Sequence, residues 1–346
     1  MIEFKDGIHI KDTHFWLDAR KKTDFSFISH AHIDHVAKHK EILATEETSA
    51  LYQHRLGKTK AITLGYHIPR RVKGTKVELF PSGHILGAAQ ILIDLDGTRI
   101  VYTGDFKLRK SLTAKRAEIK KCDILIMEST FGLPQYVFPP TEEIYQRIIH
   151  FVEKTLNQKK VPVILAYSLG KAQEAIKLLG DKGFKLNLHG AVFNIVKIYE
   201  KFGVKFKNYE RYQSEFVQNG SNRRSVGPEN LKEKVLITPP HTRNFKMVQE
   251  IPQKKIAFLT GWGINNRAKY SYDVDEIFPL SDHADFKELL EFAEKSNPQK
   301  IYVVHGFTEF VEHLKKLGFD AEELKEGTKF DRRLSKEILL NYDLFR

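Results

Sequence analysis

The chain reads as an α/β protein of one large or two moderate domains. Its 346 residues exceed the usual size of a single domain, its first third is a series of short strands and turns, and its central block alternates apolar runs with amphipathic helical stretches. A hydrophobic share of 41% is enough to build real cores.

In the first third, IEFKDG, IHIKDTHFWLD and DFSFIS read as strands, followed by KVELFPS, AAQILIDLD, TRIVYTGD and CDILIMES. A helix is expected to begin within HIDHVAKH. A clearer one covers TEETSALYQHRLG, with Thr45 as N-cap and Gly57 at its end. Prolines in LPQYVFPPT break the pattern and open a linker. Beyond it TEEIYQRIIHFVEKTLNQKK has apolar residues at helical spacing, and VPVILAYS reads as a buried strand. The helix LGKAQEAIKLLGDKG follows, then KLNLHG, the helix AVFNIVKIYEKFG, KVLITP and KKIAFLTG. This alternation predicts a parallel sheet with helices on its faces. After DEIFPLSDHADF, KELLEFAEKS reads as a helix capped by Ser281 or Asp282, leading into a last strand, KIYVVHG.

Composition excludes several classes. No segment approaches the roughly 20 apolar residues that span a bilayer, and MIEFKDGIHIKD has no signal-peptide pattern. The lone cysteine, Cys122, excludes a disulfide framework and any multi-cysteine zinc site, and reads as a structural thiol. The expected location is cytoplasmic, with no membrane partner. The net charge of +12 is concentrated: residues 135–275 carry 23 lysines and arginines against 13 aspartates and glutamates, a net +10. Such a block is either a solvated lysine-rich surface or the footprint of a polyanion, nucleic acid first among them.

The chemistry concentrates in SFISHAHIDHV, where His30, His32, Asp34 and His35 follow a strand in a His-x-His-x-Asp-His pattern. A turn there lets alternate side chains converge, and imidazole with carboxylate suits Zn²⁺ and related divalent ions. Partners of the same kind stand at other strand ends. His84 lies in PSGHILGAA beside a glycine, Asp105 closes TRIVYTGD, and His305 follows KIYVV. Each alone would more often be a turn or capping residue. Together they form a three-plus-three set: His30, His32 and His84 for one ion, Asp34, His35 and His305 for the other, Asp105 between them.

HAHIDH, SGHILG, YTGDF and VVHG, in that order, resemble the motif series of the metallo-β-lactamase superfamily. MESTFG (127–132), AYSLGKAQE (166–174) and PLSDHADF further resemble its β-CASP nuclease family. LDARKKTDFSFISHAHIDHV, LATEETSALYQHRLG and ESTFGLPQYVFPP place the likeness nearest the short DNA ligase-associated exonuclease or mRNA 3′-end processing factor-like group. The resemblance implies an αββα sandwich over 1–134 and 276–346, interrupted by an inserted basic α/β domain with a parallel sheet over 135–275. It implies two divalent ions, Zn²⁺ first and Mn²⁺ second, that activate a water against a phosphodiester. Asp34 would help orient that water, His283 would act as general acid and Glu128 would fix its ring. As ordinary residues, His283 would be a helix N-terminal residue and Glu128 a strand-end residue.

Substrate contacts stay open. Ser168 and Lys171 form either a phosphate site at a helix N-terminus or a Ser-capped helix with an exposed lysine. Arg223 and Arg224 form either a phosphate-binding loop or a solvated basic one. Tyr167 and Trp262 would stack on bases or, better, pack in the core. The expected activity is phosphodiester hydrolysis, with single-stranded DNA and exonucleolytic action ahead of RNA processing. A small-molecule hydrolase ranks lower. DNA-repair or RNA-processing proteins are the expected partners. Phe307 stands where the RNA-processing branches carry Glu after VHG.

Overall fold

The computed structural model describes residues 2–212, 216–217, 224–225, 231–265 and 268–325. The described residues divide into two compact units, 2–137 with 282–325, and 138–281.

The first unit is built on two sheets. One has six strands in sequence order, Ile2–Phe4, Ile8–Ile10, Trp16–Leu17, Phe25–Phe27, Glu41–Ala44 and Lys60–Thr63. The other has seven, in the order Ala321–Glu323, Lys300–Gly306, Ile124–Ser129, Thr98–Tyr102, Ala89–Leu95, Thr75–Pro81 and Arg70–Val72. Ile8, Ile10, Leu17, Phe25, Phe27 and Leu43 of the first sheet share one core with Val77, Leu79, Ile91, Ile93, Ile100 and Ile126 of the second. The strand period of two sends the alternate residues the other way. Leu125, Met127, Ile301 and Val303 meet Leu289 and Phe292 of the helix Phe286–Ser296, and Phe310 and Leu314 of the helix Glu309–Lys316. On the first sheet's side, the helix Glu46–Leu56 packs beside Lys60–Thr63. The layering is therefore αββα.

The second unit carries a six-stranded sheet in the order Tyr209–Arg211, Lys185–Leu188, Lys234–Thr238, Val161–Leu165, Lys254–Leu259 and Glu276–Phe278. Every pairing in it is parallel; the helix Thr141–Asn157 leads into Val161–Leu165, and the helices Lys171–Asp181 and Gly190–Lys201 connect strands of the sheet. Central strands such as VPVIL are buried along their length, as a sheet covered on both faces requires. Glu276–Phe278, assigned from sequence to the returning segment, pairs instead with Lys254–Leu259, so the second break falls after Ser281 rather than after Asp275.

Two local expectations are corrected. HIDHVAKH forms no α-helix: a single 3₁₀ turn, Ile33–His35, is followed by extended backbone at Val36. The side chains that would line a helix face are engaged elsewhere, His35 on Asp18 and His39 on the Thr23 backbone N–H. The helix Phe286–Ser296 is capped by Asp285, not by Ser281 or Asp282, in a reciprocal box with Glu288. Thr45 and Gly57 do flank the helix Glu46–Leu56 as expected.

Cys122 is buried in the helix-side core of the first unit. Burial, with Asp123 adding to it, pushes its thiol up to about 12. At pH 8 only ~1 in 10⁴ molecules would carry the thiolate that reacts. The native protein is therefore expected to ignore a disulfide reagent at pH 8 and to react with one equivalent once unfolded. Rapid native labelling would contradict this burial.

Candidate metal centre

The strand Phe25–Phe27 ends in the turn that carries the densest histidines, and four more elements of the first unit bring their partners to it. His30 is fully buried, with its Nδ1 2.9 Å from Ser29 Oγ. His84 sits on a turn opened by Gly83, whose φ of +80° and approach to the Lys107 carbonyl leave no room for a Cβ. His84 Nδ1 donates to the Asp282 carbonyl at 2.9 Å, which leaves Nε2 as the lone-pair nitrogen. That Nε2 lies 3.0 Å from His32 Nδ1. Two nitrogens on one tetrahedral zinc would sit roughly 3.3 Å apart, given Zn–N distances of about 2.05 Å.

Asp105 is where these rings converge. Its Oδ2 lies 3.5 Å from His30 Nε2, 3.3 Å from His35 Nε2 and 3.8 Å from His84 Nε2. His30, His32, His84 and Asp105 thus offer four ligand atoms all within 4.8 Å of one another. Among the described residues, His30 Nε2 and Asp105 Oδ1 are buried polar atoms with no hydrogen-bond partner. Each such atom costs on the order of 1–3 kcal/mol, and a cation at this point would satisfy both. The donor set fits a divalent metal.

The second half of the expected set is less complete. His35 is oriented like His84: its Nδ1 donates to Asp18 Oδ2 at 2.8 Å, which turns Nε2 towards Asp105. Asp34 has a side chain 44% exposed, with Oδ2 3.7 Å from His35 Nε2. His305 stands at a bulge, since Glu128 pairs with Val304 but Ser129 pairs with Gly306. It takes a left-handed φ of +52°, and its ring centroid comes to 5.1 Å from that of His35. Among the described residues, neither Asp34 nor His305 belongs to a set of three ligand atoms as close as the first.

The charges follow from this crowding. Burial, then neighbouring His35 and His84, hold His30 well below the ordinary histidine value of 6.5. Burial and His283 do the same to His84. Burial, with His35 and Arg20, lowers His305 to about 3. His35 goes the other way: burial opposes its charge, but Asp105 and Asp34 outweigh it and raise the ring well above 6.5. The three depressed imidazoles stabilise the fold above about 6.5 and lose that contribution as pH falls towards their folded values, because the unfolded chain then binds the extra protons. His35 contributes in the opposite sense, fully present below 6.5 and lost as pH rises through its folded value. The metal-stripped chain is therefore expected to melt at a lower temperature at pH 5.5 than at pH 7.5 in the presence of chelator. An unchanged or higher melting temperature at pH 5.5 would contradict the imbalance.

Beside this cluster stand Glu128 and His283. Glu128, fully buried, accepts the Phe106 backbone N–H at 2.7 Å through Oε1. His283 Nδ1 donates to Glu128 Oε2 at 2.9 Å and lies 3.8 Å from Asp105 Oδ2. The His283 ring packs edge-on to His84, with centroids 4.8 Å apart. Its side chain keeps 19% exposure, so a reactant can reach it.

The expected substrate residues are dispersed. Ser168 and Lys171 belong to the second unit, where the helix Lys171–Asp181 starts from Gly170 rather than Ser168. Lys171 is buried, with Nζ 5.2 Å from the Tyr167 ring centre. Tyr167 packs on that unit's core and Trp262 is half-buried. Arg223 and the Arg224 side chain lie outside the described residues.

Known proteins carry the same frame. A solved structure of a protein of unknown function from Enterococcus faecalis V583 superposes with a TM-score of 0.61 at 16% identity, covering 88% of this chain and 80% of that one. Residues 273–327 match the family described as the Zn-dependent metallo-hydrolase RNA specificity domain. A probable DNA ligase of Opitutus terrae is 36% identical over 95% of this chain, and a probable RNase MJ4 of Methanocaldococcus jannaschii is 26% identical over 83% of this chain and 82% of its own. The matched domain and these relatives are consistent with the β-CASP nucleases of the metallo-β-lactamase superfamily. The chain spans 32% of the length of the Opitutus protein. No helix among its described residues is long and apolar enough to cross a membrane.

Sequence reasoning missed two residues of this centre. Asp18, at φ +45°, holds His35, the Ser29 backbone N–H at 2.7 Å and the Tyr102 hydroxyl at 2.8 Å. Arg20 donates to His305 Nδ1 at 2.8 Å. Both lie in LDARKK, a stretch noted only for its likeness to the family.

Proposed function

We propose that the chain is a metal-dependent nuclease that hydrolyses phosphodiester bonds in nucleic acid, with Zn²⁺ as the first candidate ion and Mn²⁺ as the second. The observation that carries this reading is the His283–Glu128 pair set against Asp105 and the histidine cluster. The alkoxide that leaves a nucleic-acid phosphodiester needs a proton, which a carboxylate-backed imidazole at that point can supply, whereas the thiolate of a thioester leaves without one. The first unit is then the metallo-β-lactamase domain and the second the inserted β-CASP domain. The net +10 of residues 135–275 supports a polyanionic substrate.

Divalent ions held by His30, His32, His84, Asp105, His35, Asp34 and His305 would acidify water and neutralise charge on the phosphodiester oxygens. Asp34, the exposed carboxylate of the set, is suited to orient the attacking water. Glu128 fixes the His283 ring through Nδ1 and stabilises its protonated form. His283 Nε2–H then delivers a proton to the departing oxygen, which leaves as a hydroxyl, and the ring is recharged from solvent. Ser168 and Lys171 are the candidates for contacting backbone phosphates away from the cleaved bond.

The first substrate reading is exonucleolytic cleavage of single-stranded DNA, supported by the match of nearly the whole chain to one part of a protein named a probable DNA ligase. RNA is the second reading, supported by the RNA specificity family at residues 273–327 and by the archaeal RNase. A time course on end-labelled single-stranded DNA and RNA of one sequence, with Mn²⁺ or Zn²⁺, tests both. Early release of mononucleotides marks an exonuclease, and a ladder of internal products marks an endonuclease. Failure to cleave either polymer by the metal-loaded protein overturns the proposal.

A further inference from the structure

The two histidines of the expected second set are held in different hydrogen-bond states, and Arg20 makes the difference. His84 and His35 each donate Nδ1–H to an oxygen, the Asp282 carbonyl and the Asp18 carboxylate, and turn Nε2 towards Asp105. His305 is arranged the opposite way. Its Nδ1 lies 2.8 Å from Nη2 of Arg20, a residue 285 positions away in sequence. A guanidinium has donors and no acceptor, so His305 Nδ1 must accept. A neutral imidazole that accepts at Nδ1 carries its proton on Nε2. Neither ring nitrogen then offers a lone pair to a cation.

From this the geometry points to Arg20 as a gate on the second metal position: the chain holds one ion firmly at His30, His32, His84 and Asp105, and binds a second at His35, Asp34 and His305 only when Arg20 releases His305. Three further observations agree. His305 and Asp34 stay outside the close ligand sets, while the first four residues already form one. Asp34 is exposed rather than drawn in. A fixed positive charge beside the second position also opposes a cation directly. The inference rests on reading these side chains as metal ligands, but not on what the protein cleaves.

The test is a metal count on the full chain, stripped with chelator, reloaded with Zn²⁺ and desalted, with calorimetric titration alongside. Wild type is expected to retain one equivalent after desalting and to show a second, weaker binding event. Arg20→Ala is expected to tighten that second event by about 10–100-fold, the range over which partners of metal-bound histidines act, and to retain close to two equivalents. Arg20→Lys, which keeps a cationic donor, is expected to stay near wild type. Arg20→Gln serves as a second variant that removes the charge, and should tighten the second event if alanine disturbs folding. Adding His305→Ala to Arg20→Ala should abolish the gain. Two equal sites in wild type, or loss of the second event in folded Arg20→Ala or Arg20→Gln, would overturn the gate. The counts involve no cleavage, so a protein with the expected counts and no nuclease activity would refute only the proposed function.

Discussion

Replacing Asp105 with alanine is expected to abolish cleavage and to leave the purified protein without its firmly held ion. Asp105 is the point on which three imidazole Nε2 atoms converge, at 3.3 to 3.8 Å from its Oδ2. Burial opposes its ionisation, but His35 and His283 beside it hold the carboxyl well below the usual carboxylate range, so it offers a full negative charge at neutral pH. Loss of an outer partner of a metal ligand costs 10–100-fold in affinity, and loss of a direct anionic ligand should cost more than about 100-fold. Asp105→Asn keeps an oxygen in place without the charge and should fall between. Elemental analysis after desalting measures the first effect, and the nuclease time course the second. An alanine variant that keeps one equivalent and wild-type cleavage would remove Asp105 from the centre.

His283→Ala is expected to slow cleavage by about 10²–10⁴-fold, the usual contribution of a positioned acid, while metal content stays at the wild-type level. The two readouts separate a proton donor from a ligand. Leaving-group chemistry provides a sharper separation. A nitrophenyl phosphodiester departs as a stable anion and needs no proton, so its hydrolysis should suffer far less from the substitution than that of a nucleotide. An equal loss on both substrates would place His283 in binding rather than in proton transfer. Glu128→Gln, which keeps an acceptor for His283 Nδ1 without its charge, should show the same pattern at smaller amplitude.

The parts of this centre legible in sequence were those whose signal is local. His30, His32 and His35 are dense within six residues, and a strand that ends in such a turn already implies convergence. The parallel sheet followed from runs whose period and length are set by burial, as in VPVIL, whereas the αββα layering was implied only by the resemblance of the motif series. What could not be read is what depends on distant neighbours. Asp18 is one acid among many in an unremarkable turn until the fold brings Ser29, Tyr102 and His35 to it. The Arg20–His305 bond joins the two ends of the chain and has no local trace. HIDHVAKH looked helical because nothing in its periodicity records that two of its rings bond elsewhere. Glu276–Phe278 carried no mark of which sheet would claim it, since an edge strand is assigned by its partner.

The bulge at His305 has a consequence for how such a chain can change. A regular strand gives each side chain one of two directions, and here both are taken: Val304 faces the inter-sheet core and Val303 the helix layer. The one extra residue creates a third direction, and Gly306, whose Cβ would strike the Ser129 carbonyl, keeps it open. Packing and chemistry on this strand are thereby uncoupled. Substitutions at residues 301–304 can retune the hydrophobic layers without moving the histidine, and the histidine can be exchanged without disturbing the layers. A scaffold with that division of labour can keep its frame while its reactivity drifts.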